Sequence, residues 1–452
     1  MNICRFKKTI DVVLLFLRLC LTFYFQTPVG GLAFRSQLFV QSLQTVMSFS
    51  RLLPLRRYST SLGNEVVIVG CARTPMGGFR GSLSSFSAPK LGSLAISAAL
   101  DRAGCPKDAV DEVYMGAVLQ GGMGQAPDRQ AALYAGLPMS VPCTAVNKVC
   151  ASGMKSIMQA AQSLQLGQNR VMVAGGMESM SNVPYYMARG DTPYGGVPLK
   201  DGLVADGLTD VYNKFHMGNC GENTAKKLGI SREEQDEYGM NSYKRAAAAY
   251  EQGSIKDELV EVEVKGKRGK PSTFVKEDEE FRKVNFDKFA KLSTVFQKEG
   301  GTVTAGNAST LSDGAAATVL MTAEAAAELG CKPLARIVGY ADGATDPIDF
   351  PIAPKFATEK LLKQTGMSAA DVDLWEINEA FSVVVPANMK LDGLDPAKVN
   401  IHGGAVSLGH PLGASGTRIV NHLVFALQPG QKGVASICNG GGGASAIMIE
   451  KM

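Results

Sequence analysis

The 452-residue sequence predicts an α/β protein built around a duplicated unit. Three observations carry this. Runs with the composition of buried strands alternate with apolar segments of helical period. A set of short motifs recurs in the same order 262 or 263 positions downstream, as duplication produces and chance does not. Between the two copies, residues from about 180 to 310 have no counterpart and read as an inserted lobe.

The front of the chain is compositionally separate. Residues 1–64 carry eight Lys/Arg and one acid, Asp11; the remainder holds 38 basic and 41 acidic residues, so the net charge of +4 becomes −3 without the front. The body lacks the basic excess that nucleic-acid binding favours. Residues 12–25 are apolar but interrupted by Arg18, short of the ~20 residues a membrane span needs. From Met47, Arg51, Arg56 and Arg57 stand among serines with no acid, the pattern of a mitochondrial transit peptide. Residues 1–58 are thus expected to be an extension plus a targeting peptide for the mitochondrial matrix, leaving a mature chain with no membrane attachment. A signal anchor at residues 12–25, or a leader with no address, are the competing readings.

Val66–Val69 reads as a buried strand ending in the turn Thr74-Pro75-Met76-Gly77-Gly78, and apolar residues then recur at helical spacing from Leu91 to Leu100. Val113–Val118 and Val171–Gly175 read as strands, with a helical segment from Ala151 to Leu166 between them. Here the duplication is explicit. Ala151-Ser152-Gly153 is matched by Ala414-Ser415-Gly416, Leu164-Gln165-x-Gly167-Gln168 by Leu427-Gln428-x-Gly430-Gln431, and Val171 by Val434, all 263 apart. Val110-Asp111 is matched by Val372-Asp373 at 262. This register sets Asn378 opposite Gly116 and Cys438 opposite Gly175, so the copies share a scaffold and divide the chemistry.

Nine cysteines without CxxC spacing, in a chain large enough to need no staples, read as reduced thiols. The four histidines, His216, His402, His410 and His422, form no ligand pattern for zinc. The residues with chemistry instead sit in glycine-rich surroundings: Cys150 in Val-Cys-Ala-Ser-Gly, Asn378 in Asn-Glu-Ala-Phe, His410 in Gly-His-Pro-Leu-Gly and Cys438 in Cys-Asn-Gly-Gly-Gly-Gly. Cys150 precedes the helical segment, where amide donors and the helix dipole are expected to favour the thiolate and lower its pKa. His410, held by Gly409 and Pro411, is the natural base for it. Cys438 ends the strand Gly433–Ile437, in reach of the α-carbon of a bound acyl group, and Gly440 can present its amide to an oxyanion. Asn378 is no base, but it can hold a water. Read alone, each has an ordinary alternative: a buried helix cysteine, a loop histidine, a glycine-rich turn.

Together, in this order, the motifs resemble the thiolase family, from about Glu65 to Met452. The resemblance implies a thiolase fold: two βαβαβ-type core halves in αβαβα layers with an inserted loop domain. Residues 65–324 would form the N-terminal domain, including the loop domain at about 180–310, and residues 332–451 the C-terminal domain. It implies a reversible Claisen condensation of two acetyl-CoA to acetoacetyl-CoA, by a ping-pong course through an acyl-cysteine. Cys150 is then the nucleophile, His410 its activator, Cys438 the proton shuttle and Asn378 the holder of a water, with the amides of Cys150 and Gly440 as an oxyanion hole. Coenzyme A would lie on the inserted lobe, at Tyr243, Lys283, Val284, Asn285, Lys288 and Ser309. His216, Met217, Phe350 and Phe381 would wall the substrate pocket; Phe350-Pro351 matches a dipeptide associated with 2-methyl-branched substrates. Tyr243, Ala305, Gly306, Ala308 and Val406 match positions that hold potassium in responsive members, Gly306 replacing the usual alanine. No redox cofactor is implied, and the assembly would be a homotetramer, a dimer of dimers. His402 departs from the family, which usually carries asparagine there; His422 reads as structural.

Four functions compete. A small-substrate, potassium-responsive thiolase is favoured by Gly175-Gly-Met-Glu-Ser-Met-Ser, by Phe350-Pro351 and by Met217. A long-chain 3-ketoacyl-CoA thiolase shares the scaffold. A ketoacyl synthase is disfavoured by Cys438, which a decarboxylating condensation does not need. A lipid carrier without turnover is disfavoured by the complete catalytic set.

Overall fold

The computed structural model describes residues 63–191, 193–266 and 270–452. The targeting peptide expected within residues 1–58 lies outside them. The main sheet is formed by Val66–Arg73 (β1), Glu112–Gly116 (β2), Cys143–Val146 (β3), Val171–Ser179 (β4), Ser312–Thr322 (β5), Ala335–Ala344 (β6), Leu374–Ile377 (β7), Lys432–Asn439 (β8) and Gly443–Lys451 (β9). They stand in the order β7-β8-β9-β6-β1-β5-β4-β2-β3, and Gly77–Gly78 adds a short strand on β5.

Outward from the centre, β1-β5-β4-β2 on one side mirrors β6-β9-β8-β7 on the other. The outermost pairs, β2 with β4 and β7 with β8, are parallel; the inner ones are antiparallel. Both central strands bulge at equivalent places, Ile68/Gly70 and Ile337/Gly339. The halves are not separate sheets: Val67↔Arg336 and Ile68↔Ala335 pair across the middle, so neither central strand leaves a free edge there. Only the outer margin is unequal. β3 has four residues, and its counterpart is a single bridge, Trp375↔Val399.

Among the described residues, the helices of ten or more residues are Ala88–Ala103 (α1), Ser152–Gln165 (α2), Gly218–Leu228 (α3), Arg232–Glu251 (α4), Ala353–Thr365 (α5) and Leu412–Ala426 (α6). α1 packs on one half of the sheet and α5 on the other, while α2 and α6 pack on each other between them. With helices on both faces, strands such as Val-Val-Ile-Val-Gly-Cys-Ala-Arg are buried at every position and read as continuous apolar runs rather than alternating ones. α6 is buried almost all round. The repeated Ala-Ser-Gly motif marks where α2 and α6 cross. A Cβ on Gly153 would lie 2.6 Å from the Gly413 carbonyl oxygen, and one on Gly416 would lie 2.5 Å from the Met154 nitrogen. Each copy supplies the bare backbone that the other's helix needs for this approach.

The inserted lobe carries α3 and α4, the latter opened by a capping box between Ser231 and Glu234. One buried arginine ties the lobe to the core. Arg73 of β1 makes a bidentate pair with Asp278 at 2.7 and 2.8 Å and reaches Glu258 at 3.0 Å. Burial alone would raise the Glu258 carboxyl, but Arg73 and His422 beside it hold it down to about 2. Its contribution to stability is therefore present above the ordinary carboxylate range and lost as pH falls through about 2. Arg73→Met, which leaves two buried carboxylates short of their cation, is expected to cost about 3–5 kcal/mol in denaturant titration at pH 7. A change below about 1 kcal/mol, the range of an exposed pair, would show the lobe to be held otherwise.

Among the described residues no helix is long and apolar enough to cross a membrane, no His/Cys/Asp/Glu group has the makings of a metal centre, and the seven cysteines are free.

Candidate active site

The loop before α2 is strained. Val149, a β-branched residue, has φ +48°, a conformation costing about 1–3 kcal/mol that persists only where surroundings enforce it. Here they do. Ser152 Oγ accepts from the Lys148 amide at 2.8 Å and donates to the Val149 carbonyl at 2.6 Å, while Asn147 Oδ1 accepts from the Val149 amide at 3.0 Å. Cys150 follows, two residues before the start of α2. The expectation of a lowered thiol pKa is overturned: burial pushes the thiol up to about 12, against the amides of Gly440 and of Cys150 itself, which are directed at the sulfur. At rest Cys150 is a neutral thiol, because exclusion of water outweighs the helix end.

His410 lies on the loop entering α6. Gly409, at φ +113°, leaves room for Ser312, whose Oγ would be 2.3 Å from a Cβ there, and the His410 amide donates to the Thr310 carbonyl at 3.1 Å. Nδ1 lies 2.6 Å from Ser415 Oγ, which donates to the Pro411 carbonyl at 3.0 Å. With its one proton used on Pro411, the Ser415 hydroxyl accepts from Nδ1–H, which leaves Nε2 with its lone pair. Asn378 Nδ2 is 3.5 Å from that Nε2. Burial, and then Arg418, push the imidazole down to about 3, so histidine and thiol are both uncharged at rest.

Cys438 stands on β8 with no exposure. Its thiol is raised well above the ordinary range by burial and by the neighbouring sulfur of Cys150. The two sulfurs, one from each copy, share one space. A Cβ on Gly440 would meet Val149 Cγ1 at 3.5 Å and Met217 Cε at 3.4 Å, which sets that glycine against the loop of Cys150. Asn378 follows β7, its amide donating to the Ser436 carbonyl at 3.0 Å. Its buried Oδ1 has no protein partner and can accept a hydrogen bond from a water.

Beside these groups runs an aromatic wall. His216 stacks on Phe296 with centroids 4.6 Å apart, and Phe296 meets Phe381 edge-on at 6.3 Å. His216 Nδ1 accepts from the Gly218 amide at 3.1 Å, so the lone pair of that nitrogen is already engaged. Met217, Phe350, Phe381 and Cys438 belong to one apolar cluster. Phe350 lies fully inside it, under α3.

The residues expected to hold coenzyme A are spread along the lobe. Ser309 is pinned to the Ala380 carbonyl through its amide at 3.1 Å and its hydroxyl at 2.8 Å, next to Phe381. Asn285 caps the short helix Phe286–Phe289 by accepting from the Lys288 amide at 3.2 Å. Lys288 is exposed. Lys283 is already paired, with Glu279 at 2.7 Å and Glu280 at 2.8 Å, so a phosphate there competes with two carboxylates. Val284 packs against a cluster containing Tyr243, Phe289 and Val406.

That cluster brings together three of the five potassium candidates, Tyr243, Gly306 and Val406, while Ala308 packs against the cluster of Phe381. The Tyr243 ring meets Phe289 edge-on at 6.1 Å, and a Cβ on Gly306 would lie 3.0 Å from Phe289. Burial, with Glu280 and Glu379 nearby, raises the Tyr243 phenol to about 12. Glu379 in turn accepts from the Val406 amide at 3.0 Å.

Three contributors escaped the sequence reading. Ser415 carried a signal, as the repeat partner of Ser152. Glu178 lay in Gly175-Gly-Met-Glu; it accepts from the amides of Val118 and Leu119 at 3.1 Å each and of Gly413 at 2.9 Å. It thereby ties the first half to the loop of His410. Burial against these three amides leaves it raised to about 7. Phe296 gave no signal. A shallow cleft of about 290 Å³ lined by Tyr114, Gln159 and Gln162 lies near the β3 edge and contains none of the candidate residues.

Comparison with known proteins accords with this geometry. The family described as thiolase, N-terminal domain, matches residues 66–324, and thiolase, C-terminal domain, matches residues 331–451. The mitochondrial acetyl-CoA acetyltransferase of Xenopus tropicalis is 66% identical over 389 residues, 86% of this chain and 92% of that protein. The mitochondrial enzyme of Homo sapiens is 64% identical over 388 residues, 86% of this chain and 91% of its own. Among solved structures, the Acat5 thiolase from Ascaris suum in complex with coenzyme A superposes with a TM-score of 0.83 at 46% identity, over 86% of this chain and 100% of that one.

Proposed function

The chain belongs to the thiolase family and is an acyltransferase; from that premise we propose that it is an acetyl-CoA C-acetyltransferase, with Cys150, Asn378, His410 and Cys438 as its catalytic residues. The observation that carries the reading is the meeting of two buried thiols, Cys150 and Cys438, one from each copy, together with a buried imidazole whose Nε2 keeps its lone pair, on a loop that Glu178 ties to the first copy.

In the first half-reaction Nε2 of His410 takes the Cys150 proton as the sulfur attacks the thioester carbonyl of acetyl-CoA. The tetrahedral oxyanion is held by the amides of Cys150 and Gly440, aimed beforehand at developing charge, while the imidazolium and the Asn378-bound water face the thioester oxygen of the incoming acetyl-CoA. The C–S bond to coenzyme A breaks, and Cys438 gives its proton to the departing thiolate. The site then holds one imidazolium and one thiolate, a pair with no net charge to bury. In the second half-reaction the Cys438 thiolate removes an α-proton from a second acetyl-CoA. The carbanion attacks the acyl carbon, whose oxygen lies against the amides of Cys150 and Gly440, and Cys150 leaves with the proton held by His410. The product is acetoacetyl-CoA; thiolysis is the same path reversed.

Coenzyme A is substrate and product in this reading, placed along Tyr243, Val284, Asn285, Lys288 and Ser309 with Lys283 exchanging its carboxylate partners for phosphate; the relative solved with coenzyme A supports it. Potassium would be held by carbonyls of Ala305, Gly306, Ala308 and Val406 with Tyr243 alongside, where it stiffens the turn Ala405–Leu408 that precedes His410. Residues 65–324 and 332–451 are taken as the two domains. A dimer of dimers is supported by the apolar side chains exposed along one segment, Tyr185, Met187, Leu199 and Tyr212. Residence in the mitochondrial matrix is supported by the Arg- and Ser-rich leader and by relatives named as mitochondrial.

The test is thiolysis of acetoacetyl-CoA, its 2-methyl derivative and a long-chain 3-ketoacyl-CoA, each with sodium or potassium. The short substrates are expected to lead, with higher rates in potassium. Faster turnover of the long chain would assign the protein to the long-chain thiolases.

A further inference from the structure

Lys148 has no part in the steps above, yet it ties the loop of one reacting cysteine to the strand of the other. It lies two residues before Cys150. Its ammonium donates to the Ala444 carbonyl at 3.0 Å, to Ser445 Oγ at 2.8 Å and to Asp342. Ala444 is the direct antiparallel partner of Cys438, and Ser445 that of Ile437. Asp342, on β6, is itself the partner of Ser445. It accepts from Ser445 Oγ at 2.7 Å and from Lys155 Nζ at 2.6 Å, on the first turn of α2. The loop before Cys150 and the helix after it are thus both fastened to the strand that pairs with Cys438. Three donors meet three acceptors, so no valence of the ammonium is left over. Lys148 and Asp342 are 24% and 34% exposed, a half-shielded pair. Burial would raise the Asp342 carboxyl, but the two lysines and Ser445 hold it down to about 2.

We propose that Lys148 is a positioning residue that sets the separation of the Cys150 and Cys438 sulfurs by anchoring the nucleophile loop to Ala444, Ser445 and Asp342. The proposal rests on the two-cysteine mechanism above and names the step that depends on the separation. Condensation needs a carbanion formed under Cys438 to reach an acyl carbon on Cys150, and a misplacement of about 1 Å in such a reaction costs about 10²-fold. Acylation needs chiefly Cys150 and His410. His410 is held by Ser415, and its loop by Glu178, neither of which Lys148 touches, and a coenzyme A thiolate can depart without help from Cys438.

The experiment compares the full-length enzyme with its Lys148→Met, Asp342→Asn and Ser445→Ala variants. Acetylation of Cys150 on mixing with acetyl-CoA is followed by mass spectrometry, and steady-state condensation is followed by acetoacetyl-CoA formation. Lys148→Met is expected to acetylate within about 3-fold of the parent rate while kcat for condensation falls about 10- to 100-fold with little change in KM. The Lys148→Met/Asp342→Asn double variant should be no worse than the worse single one. Should Lys148→Met fail to fold, Ser445→Ala, which removes one acceptor and leaves no charge unpaired, must give the same split at smaller size. Equal loss of both half-reactions, or loss of neither, overturns the proposal. Failure of the parent protein to acetylate Cys150 overturns the acyl-cysteine mechanism itself.

Discussion

Cys150→Ala should take up no acetyl group from acetyl-CoA and lose about 10⁴-fold or more of kcat in both directions. The expectation comes from the separation of functions in the site. The amides of residue 150 and Gly440 and a water held by Asn378 can still bind and polarise a thioester in this variant, but nothing remains to carry the acyl group between the two substrates. Cys150→Ser is a poor substitute, since a hydroxyl is a weaker nucleophile and the imidazole facing it is a weak base. The check is intact-protein mass after exposure to acetyl-CoA: a 42-dalton gain, about one acetyl group, at any other residue would refute the assignment. The parent protein adds a second readout. The His410 imidazolium is disfavoured by burial and by Arg418, so acylation should keep its base as pH falls through the ordinary histidine range near 6.5. The same depression withdraws stability from the folded state below that range, because only the unfolded chain then gains the proton. An acylation rate that halves near pH 6.5 would contradict the burial argument.

Cys438→Ala should separate the half-reactions. Acetylation of Cys150 is expected to persist, while condensation falls about 10²- to 10⁴-fold, the range for loss of a positioned acid or base. The thiol of Cys438 is hard to ionise in the resting site, both through burial and because the sulfur of Cys150 adjoins it. Once acylated, Cys150 no longer competes for negative charge, and the imidazolium of His410 favours a thiolate nearby. The base is thus generated by the first step rather than stored beforehand. Alanine has nothing to generate. Condensation by Cys438→Ala at the parent rate would remove Cys438 from the mechanism.

Much of this architecture was legible in the chain because duplication left it written twice. Ala151-Ser152-Gly153 and Ala414-Ser415-Gly416 recur because two helices cross at their glycines. The parallel pairs β2–β4 and β7–β8 stand where the repeat register put them. The candidate site was legible as residue types: thiols and an imidazole in glycine-rich turns are informative without coordinates. Its electrostatics were not. A helix N-terminus can be read from spacing, whereas the exclusion of water that pushes Cys150 the other way depends on side chains hundreds of positions distant. The same limit hid Phe296, an aromatic in an unpatterned loop, and Lys148, whose partners Asp342 and Ala444 lie 194 and 296 residues downstream. The direct pairing of β1 with β6 was also unreadable, since two residue pairs leave no periodic trace.

The crossing at Gly153 and Gly416 makes the two copies mutually obligatory. Each helix presents a stripe of naked peptide groups that only the other can cover; apart, that stripe would be wetted and the fragment left with a hydrated gap where its centre belongs. A chain severed near residue 330 should therefore behave as two halves of a torn ticket, inert singly and competent only when rejoined along that edge.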